Sequence, residues 1–197
     1  MTSKVVLRDG TPEAAAALAA GARVVARSWR AGLNVDGGEP PVWGRARAAV
    51  ADVAVLRELT PDDRDAILRL DQDTATDYPG DVATTHRPLT ADAATPTPYR
   101  RAFGAVVGAD LVAMTVVDVD GDRAETDFTV VSRSWRGRGL AAAVKALSLG
   151  TLAAAGVRRF RTGGSSENRA IIAVNEALGY VRDEEWLTLV LDAEQTG

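Results

Sequence analysis

Residues 124–155 constrain this chain more than any other stretch. Residues 124–132 read as a strand. Then comes the tight loop Arg136-Gly137-Arg138-Gly139, and residues 139–155 form a run rich in alanine and leucine. Alanine is the strongest helix former, and Gly156 stands where a helix C-terminus favours glycine. A strand and a long apolar helix joined this closely must pack as layers of an α/β domain. The joint also has chemistry. A helix N-terminus offers unpaired N–H groups and the positive end of the macrodipole. Glycines let those amides approach a phosphate, and arginines add charge-assisted hydrogen bonds. The segment is a candidate diphosphate cradle, although a short Gly motif alone equally describes an ordinary turn with solvated arginines. No Gly-Lys-Ser/Thr follows, which excludes a P-loop. Three antiparallel-looking strands precede the loop, so it does not open a dinucleotide-binding unit.

The remaining elements follow from local signals. Residues 4–8 suit a short strand. Thr11-Pro12-Glu13 resembles a helix start, and the alanine-rich run after it predicts a helix to about Arg30, with Leu18, Val25 and Trp29 on its apolar face. Residues 32–44 are rich in glycine and proline and read as a linker; residues 45–52 suit a short helix. The main domain is placed at 51–197 and an N-terminal helical extension at 1–50. Residues 53–57 predict a strand, and Thr60-Pro61-Asp62-Asp63 a helix start. Residues 71–100 are polar and Pro-rich, with one short helix expected near 90–94. Strands follow at 103–107 and 111–117 around Gly108-Ala109-Asp110, and Asp120-Gly121 turns into the strand at 124–132. After the long helix come a strand at 157–162, a helix at 168–178 and a strand at 186–191.

Residues 124–180 resemble the GCN5-related N-acetyltransferase (GNAT) superfamily. Arg136, Gly139 and Ala141 fill the defined places of its coenzyme A signature, Arg/Gln-x-x-Gly-x-Gly/Ala. Thr162, Asn168, Asn175 and Leu178-Gly179-Tyr180 match a second block of one bacterial branch, and Lys145 stands where that branch often has lysine. Asp77-Tyr78-Pro79-Gly80 resembles a weaker acceptor-side feature. The resemblance spans roughly residues 53–192. It implies a mixed, mostly antiparallel central sheet with splayed strands and flanking helices. It further implies that the backbone of Thr129, Val130 and Val131 pairs with the pantetheine amides. Arg136, Gly137, Arg138, Gly139, Leu140 and Ala141 would hold the pyrophosphate, and Asn168 would contact the pantetheine arm. Arg133 and Lys145 are placed either at the adenosine phosphates or in solvent.

The sequence also departs from that pattern. Gly164 replaces an expected asparagine and Ile171 an expected methionine. Asn175 occupies the place where many members carry a tyrosine general acid, and an amide does not readily donate a proton at neutral pH. Tyr180 belongs to the motif and is expected in the core; Tyr78 and Tyr99 lie in acceptor-side loops. For the base, Glu125 and Asp127 are two apart on one strand and are expected on one face, where a carboxylate could take a proton from an amine or attract a cation. A polar strand face in solvent is the alternative. His86, the one histidine, reads as a surface residue.

The chain has 197 residues, no cysteine, and a net charge of −4. Thiolate chemistry and Cys- or His-rich metal sites are therefore excluded. A nucleic-acid binder normally shows a basic excess, so no nucleic-acid partner is expected. No apolar run reaches the length of a membrane span and residues 1–8 lack a signal-peptide core, so a cytoplasmic protein is expected. The leading expectation is an N-acyltransferase. It would move an acetyl or short acyl group from acetyl-CoA, as co-substrate, to a small-molecule primary amine by direct transfer in a ternary complex, with no metal. The alternatives are a non-catalytic acyl-CoA-binding module and an acyltransferase acting on a protein N-terminus or lysine. Residues 1–50 could form a cap on the acceptor side, a homodimer contact or the remnant of a second family half.

Overall fold

The computed structural model describes residues 3–77, 81–84 and 87–191. The chain builds one eight-stranded sheet with helices on its surfaces. The strands are β1 (Ser3–Arg8), β2 (Arg23–Asn34), β3 (Val55–Leu59), β4 (Arg100–Val107), β5 (Asp110–Asp120), β6 (Arg123–Val131), β7 (Arg159–Ser165) and β8 (Val181–Leu191). The helices are α1 (Pro12–Ala19), α2 (Pro41–Ala48), α3 (Arg64–Thr74), α4 (Leu140–Ala154) and α5 (Arg169–Ala177). The sheet order is β1-β8-β2-β7-β6-β5-β4-β3, antiparallel at every pairing except β6 with β7. No helix among the described residues is long and apolar enough to cross a membrane.

The expected mixed, mostly antiparallel sheet with flanking helices is present, and the main-domain elements fall close to their sequence signals. The N-terminal reading needs correction. The helix expected to reach Arg30 ends at Ala19, and Arg23–Asn34 is a strand. Thr11 caps α1 as expected, accepting from the Ala14 amide. From residue 29 onward, however, Trp29, Ala31, Leu33 and Val35 alternate with polar residues, and all four join the core that packs against α4 and α5. Burying that period-2 face against the sheet's neighbours outweighs the helix propensity of the few alanines nearby. Strand β2 lies between β8 and β7. Apart from α1 and α2, the expected helical extension is therefore part of the central sheet. Residues 90–94 are likewise a turn, not the expected short helix.

Both indoles of the first fifty residues are core groups. Trp29 and Trp43 are 1% and 0% exposed, and their Nε1 atoms donate to the Ser165 and Leu178 carbonyls. Helix α3 covers a second core on which Leu59, Ile67, Leu70, Met114 and Phe128 meet. The loop after α3 is pinned to it: the buried Asp71 carboxylate accepts the Leu89 amide at 2.9 Å, and Leu89 and Ala94 pack into the same cluster.

Candidate functional site

The site begins with a fork. Strands β6 and β7 run parallel only through the pairs Arg123–Arg159, Ala124–Phe160 and Glu125–Arg161. Beyond them β7 stays with β2, through Thr162–Ala31 to Ser165–Ser28, while β6 continues along β5 to Val131. Each strand keeps its outer partner, so the gap between them opens and the inner edge of β6 past Glu125 faces that gap without a strand beside it. A cleft of about 1280 Å³ occupies this region.

A bulge on β6 shapes the cleft. Val116 pairs with Phe128 but Val117 pairs with Thr126, so Asp127 is an extra residue. The bulge resets the side-chain alternation. Before it, Ala124 and Thr126 point toward α4; after it, Phe128 and Val130 join the α3 core. The alternation changes only after Asp127: Arg100 pairs in register with Asp118, and Asp118 with Glu125, while the same guanidinium bonds both Asp118 and Asp127, so Glu125 and Asp127 share a face as expected. Both line the cleft, each held by an arginine: Glu125 by Arg30 of β2, and Asp127 by Arg100 of β4.

At the wide end lies the loop before α4. Gly139 is the N-cap of the helix with φ 80°, and Gly137 has φ 74°. Both values are left-handed, which glycine adopts without the Cβ penalty of other residues. No side chain caps the helix, so its first amides remain for a ligand or solvent. Gly137, Gly139, Leu140 and Ala141 line the cleft with Arg136. Thr129, Val130, Val131 and Asn168 line it as well. Arg138 does not; its guanidinium lies 4.7 Å from the Trp135 ring centre.

Sequence reading placed Asp77 in an acceptor-side feature but missed that it ties this loop down. Asp77, at the end of α3's extension, pairs with both Arg133 and Arg136, and Arg136 also donates to the Val131 carbonyl. These arginines, Arg133 first, hold the Asp77 carboxyl below the usual carboxylate range. Arg133 is thereby engaged with Asp77 and Thr76. Ser28 and Arg30 of β2 and Trp186 of β8 also line the cleft and were not anticipated. Tyr78 and His86 lie outside the described residues. Tyr99 is exposed and does not line the cleft.

Lys145 requires a second correction. It is neither at a phosphate site nor in solvent: it is 1% exposed on α4. Its Nζ donates to Thr126 Oγ1 at 3.1 Å and Thr162 Oγ1 at 3.5 Å, and lies 5.5 Å from the Tyr180 ring centre. Burial pulls its pKa down from 10.5 to about 7. The same burial pushes the Tyr180 phenol up, opposed by its hydrogen bond with Thr126. Tyr180 is a core residue, as expected. Asn175 is buried too; its Nδ2 donates to the Ile171 carbonyl, and its Oδ1 has no partner among the described residues.

The depressed lysine has a consequence for stability. Below pH 7 the amine is charged in both states, and the fold bears the full cost of burying it. Between pH 7 and 10.5 the unfolded chain holds a proton that the folded chain has lost, so stability rises with pH. Above 10.5 the cost is gone. Lys145→Met is therefore expected to be more stable than wild type at pH 6.5, with the gap closing by pH 9.5. Urea melts at the two pH values check this; an equal pH rise in both proteins contradicts it.

No family model matches this chain, and no curated protein does. Solved structures do. It superposes on a GCN5-related N-acetyltransferase from Sphaerobacter thermophilus with TM-score 0.74 and 16% identity, over 97% of this chain and 59% of that one. The chain thus spans about three fifths of that relative's length. A tandem GNAT protein from the clavulanic acid biosynthesis pathway aligns with TM-score 0.63 and 21% identity, over 100% of this chain and 65% of the other. The ribosomal-protein-S18-alanine N-acetyltransferase from Escherichia coli aligns with TM-score 0.55 and 16% identity, over 74% and 99% respectively. With its forked sheet and the open helix end beside it, the chain has the fold of the GCN5-related N-acetyltransferases.

Proposed function

We propose that this protein is an acyl-CoA-dependent N-acyltransferase acting on a small-molecule primary amine. One observation carries the reading. The inner edge of β6 is left unpaired where β7 diverges, and that edge leads directly to the uncapped N-terminus of α4. An extended amide-bearing arm can pair with such an edge as an added strand would. A diphosphate suits the helix end. An acyl thioester of coenzyme A joins these two features in one ligand. Val131 lies near the helix end and Thr126 at the fork, so the arm would run from α4 down β6 with its thioester toward Asp127 and Thr126.

The transfer itself needs a neutral amine beside the thioester carbonyl. The amine nitrogen forms a bond to carbon as the carbon–sulfur bond breaks, the amine proton passes to a carboxylate or its water, and the thiolate leaves. Holding the two reactants in one cleft supplies much of the acceleration. Glu125 and Asp127 are the carboxylates that would receive a cationic amine and its proton. Arg30 and Arg100 hold them in place.

A second reading is a module that binds acyl-CoA without turnover. Asn175 favours it: an amide at that position cannot protonate a thiolate, and it is buried besides. Calorimetry and a thiol-release assay separate the two. Micromolar acetyl-CoA binding with CoA release on a broad panel of primary amines is the expected result. Binding without release on any amine supports the module, and no binding at millimolar acetyl-CoA removes both. Release on peptide N-termini or lysines alone would point to a protein acceptor.

A further inference from the structure

The last paired residues of the fork are Glu125 and Arg161. The next residue on each strand is a threonine, Thr126 and Thr162, and a single buried ammonium donates to both hydroxyls. Tyr180 completes the group, its ring facing Lys145 and its hydroxyl bonded to Thr126. Lys145, Thr162 and Tyr180 are buried, and Thr126 is half-buried at the cleft. A charged amine with only neutral partners is costly in a core that Leu or Met could fill. Lys145 also stands on the helix whose N-terminus forms the wide end of the cleft.

Resting on the acyl-CoA reading, we infer that Lys145, Thr126, Thr162 and Tyr180 plug the apex of the fork and set the length of acyl chain the protein accepts. From Val131 to Thr126 the strand advances roughly 13 Å, four steps at ~3.3 Å per residue because the bulged Asp127 adds no advance, a span that an extended pantetheine arm can cover. The acyl group then abuts the plug. Of the four, Thr126 lines the cleft and the other three lie behind it; its hydroxyl is engaged by Lys145 and Tyr180, so the apex ends in a threonine braced by buried polar groups. A two-carbon acyl group stops short of this wall; a six-carbon chain runs into it. Lys145 acts here as a positioning residue through Thr126, not as a group touching the thioester.

The test is calorimetric and needs no acceptor. Dissociation constants for acetyl-CoA and hexanoyl-CoA are measured on the full chain and on Lys145→Ala, Lys145→Met and Thr126→Gly, each checked by thermal melting. Wild type is expected to bind hexanoyl-CoA at least tenfold more weakly than acetyl-CoA. Lys145→Ala, which empties the apex, should bring that ratio below threefold. Lys145→Met fills the same volume and should retain it. Should Lys145→Ala not fold, Thr126→Gly is judged by the same ratio. A ratio unchanged in the folded apex variant, or a wild type indifferent to chain length, overturns the inference and leaves the acyl-CoA reading standing. A wild type that binds neither thioester overturns that reading and the inference together.

Discussion

Gly137→Glu should weaken acetyl-CoA binding at least 100-fold in a protein that still folds, about 1–2 kcal/mol less stable than before. Gly137 has φ 74°, and a Cβ built on it meets nothing within 4 Å. The side chain therefore fits, at a cost of about 1–2 kcal/mol for the left-handed backbone. Its carboxylate would sit in the loop that faces the proposed diphosphate. Two unit charges 4 Å apart repel by about 4 kcal/mol at an effective dielectric constant near 20. A hundredfold loss needs only about 2.7 kcal/mol, so the expected effect survives considerable solvent screening. Gly121→Glu is the matched control. Its φ is 57°, its Cβ is also unobstructed, and it lies in the β5–β6 turn outside the cleft. Calorimetry should find the control within threefold of wild type. If both variants bind alike, the diphosphate is not held at this loop.

What was legible in the sequence was what is local. The alanine run of α4, the Thr-Pro helix starts and the Gly108 and Asp120-Gly121 turns carry their own physics, and their elements appear where expected. The loop before α4 was legible for the same reason, being six consecutive residues, 136–141, at a helix start. Strand β2 was lost because alanine-rich composition was extended through it. The alternation of Trp29, Ala31, Leu33 and Val35 was present, but it crossed a boundary that Gly32 had suggested. In the fold Gly32 is a strand residue, and the Arg161 and Asp183 side chains close over it. Other features depend on distant partners. The bulge at Asp127 exists only in register with β5. Lys145 looks like any helix-surface lysine until the fork and Tyr180 enclose it. The hold of Asp77 on Arg133 and Arg136 spans more than fifty residues, and only the fold brings them together.

Removing residues 1–50 should abolish folding, and this is the largest effect expected of any change to the chain. Strand β8 has two neighbours, β1 and β2, and both lie in the deleted segment. Without them every ladder hydrogen bond of β8 is lost, and β7 loses its partner on the side away from β6. Trp29 and Trp43 leave voids among Leu149, Leu152, Phe160 and Leu178. Truncating a buried tryptophan to alanine typically costs about 3–5 kcal/mol, and a domain's whole stability is about 5–15 kcal/mol. Losing both indoles with the strand between β7 and β8 exceeds that margin. The 51–197 fragment is expected to be insoluble, or to show no near-ultraviolet dichroism and no cooperative urea transition. Trp43→Ala in the full chain is the graded version. It should lose about 3–5 kcal/mol, since the cavity is compounded by a Leu178 carbonyl left without its indole donor. Trp29→Phe keeps most of the packing but loses the bond to Ser165, and should lose about 1 kcal/mol more than its reduced area accounts for. The functional consequence follows from the same strand. Ser28 and Arg30 line the cleft, and Arg30 holds Glu125, so β2 is at once core and cleft wall. A fragment 51–197 that unfolded cooperatively and bound acetyl-CoA as the full chain does would refute this account.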